Sequence, residues 1–557
     1  MAKTHSLAVV IASLLLLGIA YLPTLQFDYG VRDQWRAFRL PESLTRLNEL
    51  HVCASEALPF YVRSGRPLVW VGECIERALV SNIRDFWYLR LISLAILLAT
   101  LLYLASFLSE SLRIETALFA ATAFVMLPGF IFMAELGLNG APVVLAVTTA
   151  VASFSQLSRS AFAMGRNVLC ARSATAAALF VIACFLYPAW AFVIVPLALI
   201  RSFLGETNSI AAKVRSCGRS LLFYAFAGVI YFLLAKLMVW ADLFGSANIN
   251  MGDGRYEMSP HLEPAVLASR IGRAMRFVFD GYLWDLPIKP ALMSIGVIGF
   301  VVLTWERTSH DGRGVRGRLL TVIVAGLSGV AGIGLAMAPW FVSGMQEVHD
   351  RFFVAAYLLP IVSIFAAVPA TLGRVRVNER LYALVGLCIC LVAAFAVNKV
   401  TYLDVTASMI RTDFVRQQVN NWLDKRGYET APLLLLVPPY GSNSGPRPAF
   451  IRRLLRDPDG TDTGTWSGDL NHYYEVVSAI LRERQNHPVG RSVGLINCGF
   501  DKACTDKNLE QGEPVFSWLS ESEAAQGHAV VPAAYALINV SELTAQPIRP
   551  TIDIVRR

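Results

Sequence analysis

Long apolar runs, each closed by a short polar or basic segment, set the pattern of the first 400 residues. A bilayer-crossing helix needs roughly 20 mostly apolar residues. The pattern predicts about eleven, near residues 7–25, 88–108, 116–133, 139–157, 173–187, 188–204, 220–240, 291–305, 319–342, 352–372 and 381–398. The fifth and sixth adjoin at Pro188 in "FVIACFLYPAWAFVIVPLALI", which reads as two short spans or as one kinked one, since proline is tolerated in membrane helices. Lys3 and His5 precede the first run, but no small-residue cleavage pattern follows where Pro23, Thr24 and Leu25 end it, so it reads as a permanent span.

Beyond these runs the periods mix. "TDFVRQQVNNWLDKRGY" and "NHYYEVVSAILRER" repeat apolar positions at helical spacing, whereas "PLLLLVPP", "RSVGLINC" and "AVVPAAYALINV" look like short buried strands. The chain is therefore expected to be a polytopic α-helical membrane module, residues 1–398, followed by a soluble α/β domain, residues 399–557. The loop "PPYGSNSGPRPAF" lacks Walker spacing and its prolines remove backbone donors, so it reads as a turn-rich connection.

Composition agrees with the membrane pattern: 55% of residues are hydrophobic and only 16% charged, with mean hydropathy +0.50. The basic residues give a direction. With the N-terminus inside, the inner connections hold Arg113, Arg159, Arg166, Arg172, Arg201, Lys213, Arg215, Arg219, Arg307, Arg313, Arg316, Arg318, Arg374, Arg376 and Arg380. Their density is roughly twice that of the two long outer loops, residues 26–87 and 241–290. An odd number of spans then puts the tail on the outer face. The expected location is a bacterial inner membrane, with the N-terminus cytoplasmic and the C-terminal domain periplasmic. No nucleic-acid partner is expected.

Of nine cysteines, four fall on that outer side as two local pairs, Cys53 with Cys74 and Cys498 with Cys504. Both pairs are disulfide candidates in an oxidising compartment, the alternative being four free thiols. No cysteine or histidine spacing suits structural zinc.

The first outer loop is rich in charge. "FDYGVRDQWRAFR" places Asp28, Arg32, Asp33, Arg36 and Arg39 among Phe27, Tyr29, Trp35 and Phe38, immediately behind the first span. Further along are Arg63, Arg66 and Arg90; the second long loop adds Arg270, Arg273 and Arg276, and "GMQEVHDRFF" brings Glu347, His349 and Arg351. Arginine presents a rigid fork of donors that matches phosphate oxygens. Several arginines at the bilayer surface thus suit a ligand both greasy and phosphorylated, although lipid headgroup contacts and pairing with nearby acids compete for the same side chains. Aromatic rings there stack on sugar faces or anchor helices at the interface.

Three stretches in order, Asp33-x-x-Arg36-Ala37, Ser64-Gly65-Arg66-Pro67-Leu68 and Leu89-Arg90-Leu91-Ile92-Ser93-Leu94, resemble the membrane glucosyltransferases of the GT-C superfamily that decorate O-antigen. The match covers about 80 residues; elsewhere it is one of architecture. It departs where the usual Asp-Asp becomes Arg32-Asp33. The resemblance implies a polyprenyl-phosphate sugar donor and an inverting transfer to a periplasmic acceptor, either glycan of a surface polymer or a secreted protein such as pilin. On their own chemistry the residues divide similarly. A base must take the acceptor's proton and cations must stabilise the departing phosphate. Asp33 is the candidate base, with Asp28 as the alternative, and Arg36 orients or pairs with it. Arg66, His349 and Arg351 are candidates for the phosphate, followed by Arg63, Arg90, Arg270 and Arg273. Trp35 and Glu347 are candidate substrate contacts. No cofactor is certain; a divalent metal is possible, and a lone carboxylate argues mildly against it. A flippase for a lipid-linked sugar is the contrasting class, disfavoured because Glu135, Asp242 and Glu306 lie only at span ends, leaving no mid-membrane carboxylate relay.

Overall fold

The computed structural model describes residues 2–26, 29, 46–160, 166–205, 209–248, 263–279, 283, 288–308, 315–342, 352–374 and 379–426, together with five strands in the tail. The protein is mostly helical. It opens with α1 (Ala2–Tyr21) and the single turn α2 (Pro23–Gln26), then a hairpin of α3 (Arg46–Arg63) and α4 (Trp70–Leu79). Next come α5 (Phe86–Leu108), α6 (Ile114–Val125), α7 (Pro128–Glu135), α8 (Ala141–Ser160), α9 (Arg166–Leu186), α10 (Pro188–Ala191), α11 (Ile194–Leu199) and α12 (Ile210–Trp240). The remaining helices are α13 (Pro264–Phe279), α14 (Lys289–Glu306), α15 (Val315–Ala336), α16 (Ala338–Val342), α17 (Val354–Arg374) and α18 (Glu379–Arg426).

Among the described residues, six stretches are long and apolar enough to cross a bilayer: Ile83–Leu108, Gly137–Arg159, Ile210–Trp240, Lys289–Glu306, Arg316–Ala336 and Leu381–Tyr402. Helices α6 and α7, bent by 62° at the break between them, count as a seventh if taken as one broken span. Shorter apolar helices, Ala8–Tyr21, Ala171–Leu186, Pro188–Leu204 and Val354–Pro369, occupy the other expected positions. By length and composition, then, six or seven of the eleven expected stretches qualify. The Pro188 ambiguity has a local cause. The residue before proline is driven out of the helical region, and Tyr187 is extended, with φ −162° and ψ 104°. Two helical pieces result.

Close approach and side-chain bonds hold the bundle. A Cβ on Gly296 would lie 2.4 Å from the Cα of Pro360, so α14 and α17 pack backbone to backbone through that glycine. The Asn398 amide donates to the Ile19 carbonyl at 2.6 Å, fastening α18 to α1. Facing outward, α12 leaves Leu222, Phe226 and Leu233 more than half exposed, as a lipid-facing helix would.

In the tail, β1 (Leu433–Val437), β2 (Val493–Asn497), β3 (Phe516–Ser517), β4 (Ala534–Asn539) and β5 (Ile552–Arg556) form one sheet in the order β3-β2-β1-β4-β5. Central β1 runs parallel to β2 and β4, with Leu433 opposite Val493 and Ala536, and the two edge strands are antiparallel. "NHYYEVVSAILRER", "PPYGSNSGPRPAF", Cys498 and Cys504 lie outside the described residues. Helix α18 runs unbroken through the expected boundary at residue 398.

Candidate functional site: an apolar cavity with an arginine at one end

The turn that carries Arg66 is a helix C-cap built from local sequence. At the end of α3 the Arg66 N–H donates to the Tyr61 carbonyl at 2.8 Å and the Gly65 N–H to the Val62 carbonyl at 3.0 Å. This is the paired bonding of a Schellman cap, which needs a left-handed residue. Gly65 supplies it, with φ 72°, and Pro67 follows, where the helix cannot continue. Ser64-Gly65-Arg66-Pro67 is therefore a stop signal with a geometric output: it turns Arg66 sideways off the helix.

Neighbouring elements hold that turn in place. The Tyr231 hydroxyl of α12 donates to the Gly65 carbonyl at 3.0 Å, and the Leu68 N–H donates to Phe185 of α9 at 3.3 Å. The Arg66 Nε donates to Ser64 Oγ at 3.3 Å, and its guanidinium lies 5.8 Å from the Tyr61 ring centre and 5.4 Å from that of Tyr187. Tyr61 in turn donates its hydroxyl to Glu73 Oε2 at 2.6 Å. Glu73, itself buried, is paired with Arg77 on the next turn of α4, and Arg77 reaches Glu56 at 3.2 Å. A disulfide between Cys53 and Cys74, Cα to Cα 5.5 Å, closes the α3–α4 hairpin.

Ser64 and Arg66 open onto a cavity of about 710 Å³. Along α12 its wall includes Gly218, Leu221, Leu222, Ala225, Gly228, Val229 and Phe232, one helical face of fifteen residues whose ends are about 21 Å apart. Phe192, Leu335 and Trp340 close other sides. Gly218, Ala225 and Gly228 leave room that larger residues would fill, and a Cβ on Gly218 would meet nothing within 4 Å. The result is a greasy groove, open to the outside along Leu222 and Val229, whose lining among the described residues carries one cationic side chain, Arg66. Ligand sites have this general character, mostly apolar with a few placed polar groups.

The other described candidates are placed differently. Arg63 donates to the Ser246 carbonyl at 3.4 Å. Arg270 is buried on α13 and donates to the Phe341 carbonyl at 3.1 Å; burial, then the neighbouring Arg273, pull its pKa below the ordinary arginine value. Arg273 is exposed. Arg90 is fully buried and lies among backbone carbonyls away from the cavity lining. Of the five described arginine candidates, Arg66 alone lines the cavity. Asp28, Asp33, Trp35, Arg36, Glu347, His349 and Arg351 lie outside the described residues. Among the described residues no three histidine, cysteine or acidic side chains converge to hold a metal. Sequence reasoning did not pick out Tyr187, Tyr231 and the small-residue face of α12. The recurrence of Gly218, Ala225 and Gly228 on one helical face is the signal that was available.

No protein-family model matches the chain, and no curated protein matches it significantly. Among solved structures it is similar to an oligosaccharyltransferase from Archaeoglobus fulgidus tethered with an acceptor peptide containing the NVT sequon via a disulfide bond. The identity is 13%, covering 86% of this chain and 63% of that one, at TM-score 0.41. The enzyme in complex with Zn and sulfate gives 13%, 85% and 61%, at 0.41. The archaeal oligosaccharyltransferase AglB, from the same organism, in complex with an inhibitory peptide and a dolichol-phosphate, gives 14%, 86% and 64%, at 0.40. This chain thus spans less than two thirds of each of these, and a likeness at such TM-scores decides neither fold nor activity.

Proposed function

We propose that the protein is an inverting glycosyltransferase of the GT-C kind that moves a monosaccharide from a polyprenyl phosphate to an acceptor outside the membrane, with all eleven apolar stretches embedded and the tail periplasmic. The observation that carries this reading is the cavity: its apolar length suits an isoprenoid chain, and Arg66 at one end suits the phosphate. Asp33, or Asp28, takes the proton from the acceptor hydroxyl as the new carbon–oxygen bond forms. The sugar's bond to the phosphate oxygen breaks in the same displacement, and the electron pair leaves with the lipid phosphate, whose charge Arg66 stabilises. Glycan of a surface polymer such as O-antigen is the proposed acceptor. Mass analysis of surface glycans and of pilin, from cells with and without the gene, identifies acceptor and sugar together; unchanged glycans would reject this choice of acceptor.

Two measurements bear on the reading directly. Arg66→Gln is expected to weaken binding of a polyprenyl phosphate to the protein in nanodiscs by about 10- to 100-fold, the range of a lost charge-assisted hydrogen bond. Binding of the unphosphorylated polyprenol should stay unchanged. An equal loss for both lipids would show that Arg66 shapes the cavity rather than meeting a phosphate. For topology, a reporter fused after residue 400 is expected to be active only on the outer side, and a cytoplasmic signal would reverse the orientation.

A further inference from the structure

Arg90 sits in the second turn of α5, fully buried. Its three guanidinium nitrogens are directed to three separate pieces of chain: Nε to the Glu135 carbonyl at the end of α7 (3.1 Å), Nη1 to the Thr24 carbonyl in α2 (3.4 Å), and Nη2 to the Tyr29 carbonyl (2.5 Å). The Tyr29 ring lies under the guanidinium at 3.6 Å, with Phe86 at 5.6 Å. Thr24 and Tyr29 are themselves fully buried. Next to them, the Thr24 hydroxyl donates to the Tyr21 carbonyl at 2.7 Å, and the Tyr21 hydroxyl donates to the Val125 carbonyl at 2.6 Å. Carbonyl groups of α2, of Tyr29 and of α7 are thereby held together by one planar group. Lysine carries a point charge and cannot serve three directions at fixed angles. A cation removed from water is tolerated only where its donors are satisfied, so the arrangement is over-determined rather than incidental.

We infer that Arg90 is a positioning residue: it clamps the chain at Thr24 and Tyr29, where the first span passes into the first outer loop, onto the end of α7, and so sets where that loop starts. This deepens the reading proposed above and rests on it for its catalytic consequence, because Asp28 directly precedes Tyr29 and Asp33 follows four residues later. It assigns Arg90 a role different from contact with the donor phosphate.

The test has one arm that does not depend on activity. In a background with Cys170, Cys388, Cys498 and Cys504 replaced by serine, Thr24→Cys places a buried thiol at the clamp. Adding Arg90→Lys is expected to raise its rate of labelling by a maleimide at least tenfold, and an unchanged rate overturns the clamp. In the second arm, with Thr24 native, Arg90→Lys is expected to lower kcat about 100-fold while leaving the KM for a polyprenyl-phosphate sugar within about twofold and shifting the pH profile of kcat. A raised KM with unchanged kcat would instead make Arg90 a phosphate contact and overturn the proposal. Loss of activity in proportion to loss of folded protein, with an unshifted pH profile, would reduce Arg90 to general stability and overturn it too. Faster labelling in a protein whose wild type transfers no sugar would sink the transferase reading while leaving the clamp itself standing.

Discussion

Asp33→Asn is expected to lower turnover of a polyprenyl-phosphate sugar by about 100- to 10,000-fold, the range associated with losing a general base. Asparagine keeps the size and shape of the side chain but cannot accept the acceptor's proton at neutral pH. Donor binding, which the proposed mechanism assigns to the cavity and Arg66, should be unaffected, and so should the yield of folded protein. The measurement is single-turnover transfer in nanodiscs, with the Asp28→Asn protein alongside. Full activity in Asp33→Asn and loss in Asp28→Asn would move the base to Asp28; full activity in both would remove the carboxylate from the mechanism.

The second large effect is on the hairpin. Cys53 and Cys74 are 21 residues apart in sequence, and closing a loop of that size by a disulfide stabilises by about 3 kcal/mol in the chain-entropy account. Cys53→Ser/Cys74→Ser should therefore speed amide exchange in α3 and α4 by about 100-fold, in line with the equivalence of 1.4 kcal/mol to a factor of ten. Amides of α14 and α17, which do not touch the bridge, should be unaffected. Equal exchange in both forms would mean that the Tyr61–Glu73–Arg77 network fixes the hairpin without the bridge.

Parts of this architecture were legible and parts were not, for reasons tied to particular residues. Ser64-Gly65-Arg66-Pro67 is readable because a helix stop depends on near neighbours: the glycine and the following proline fix the backbone whatever surrounds them. The break at Tyr187–Pro188 is readable for the same reason. Span length is less so. Hydropathy counts apolar residues without registering where Pro128 and Pro188 end one helix and begin another, so continuous apolar runs emerge as shorter or bent helices. Arg90 stood out in sequence as a phosphate candidate, but its partners did not. Its partners at Thr24, Tyr29 and Glu135 are 66, 61 and 45 residues away. An arginine at a span end looks the same in sequence whether it faces a headgroup or the protein interior. The cavity is an intermediate case: the α12 face follows from helical periodicity, but its opposing wall, from Tyr187 to Trp340, comes from distant segments.

Helix α18 continues well past its apolar stretch. That stretch ends at Tyr402, and the helix runs on to Arg426 without a break, a further 24 residues or about 36 Å of rod. Such a rod is longer than the hydrocarbon layer is thick. On the topology proposed above, with the tail outside the membrane, a rod of that length standing away from the bilayer sets the start of the tail well clear of the lipid surface.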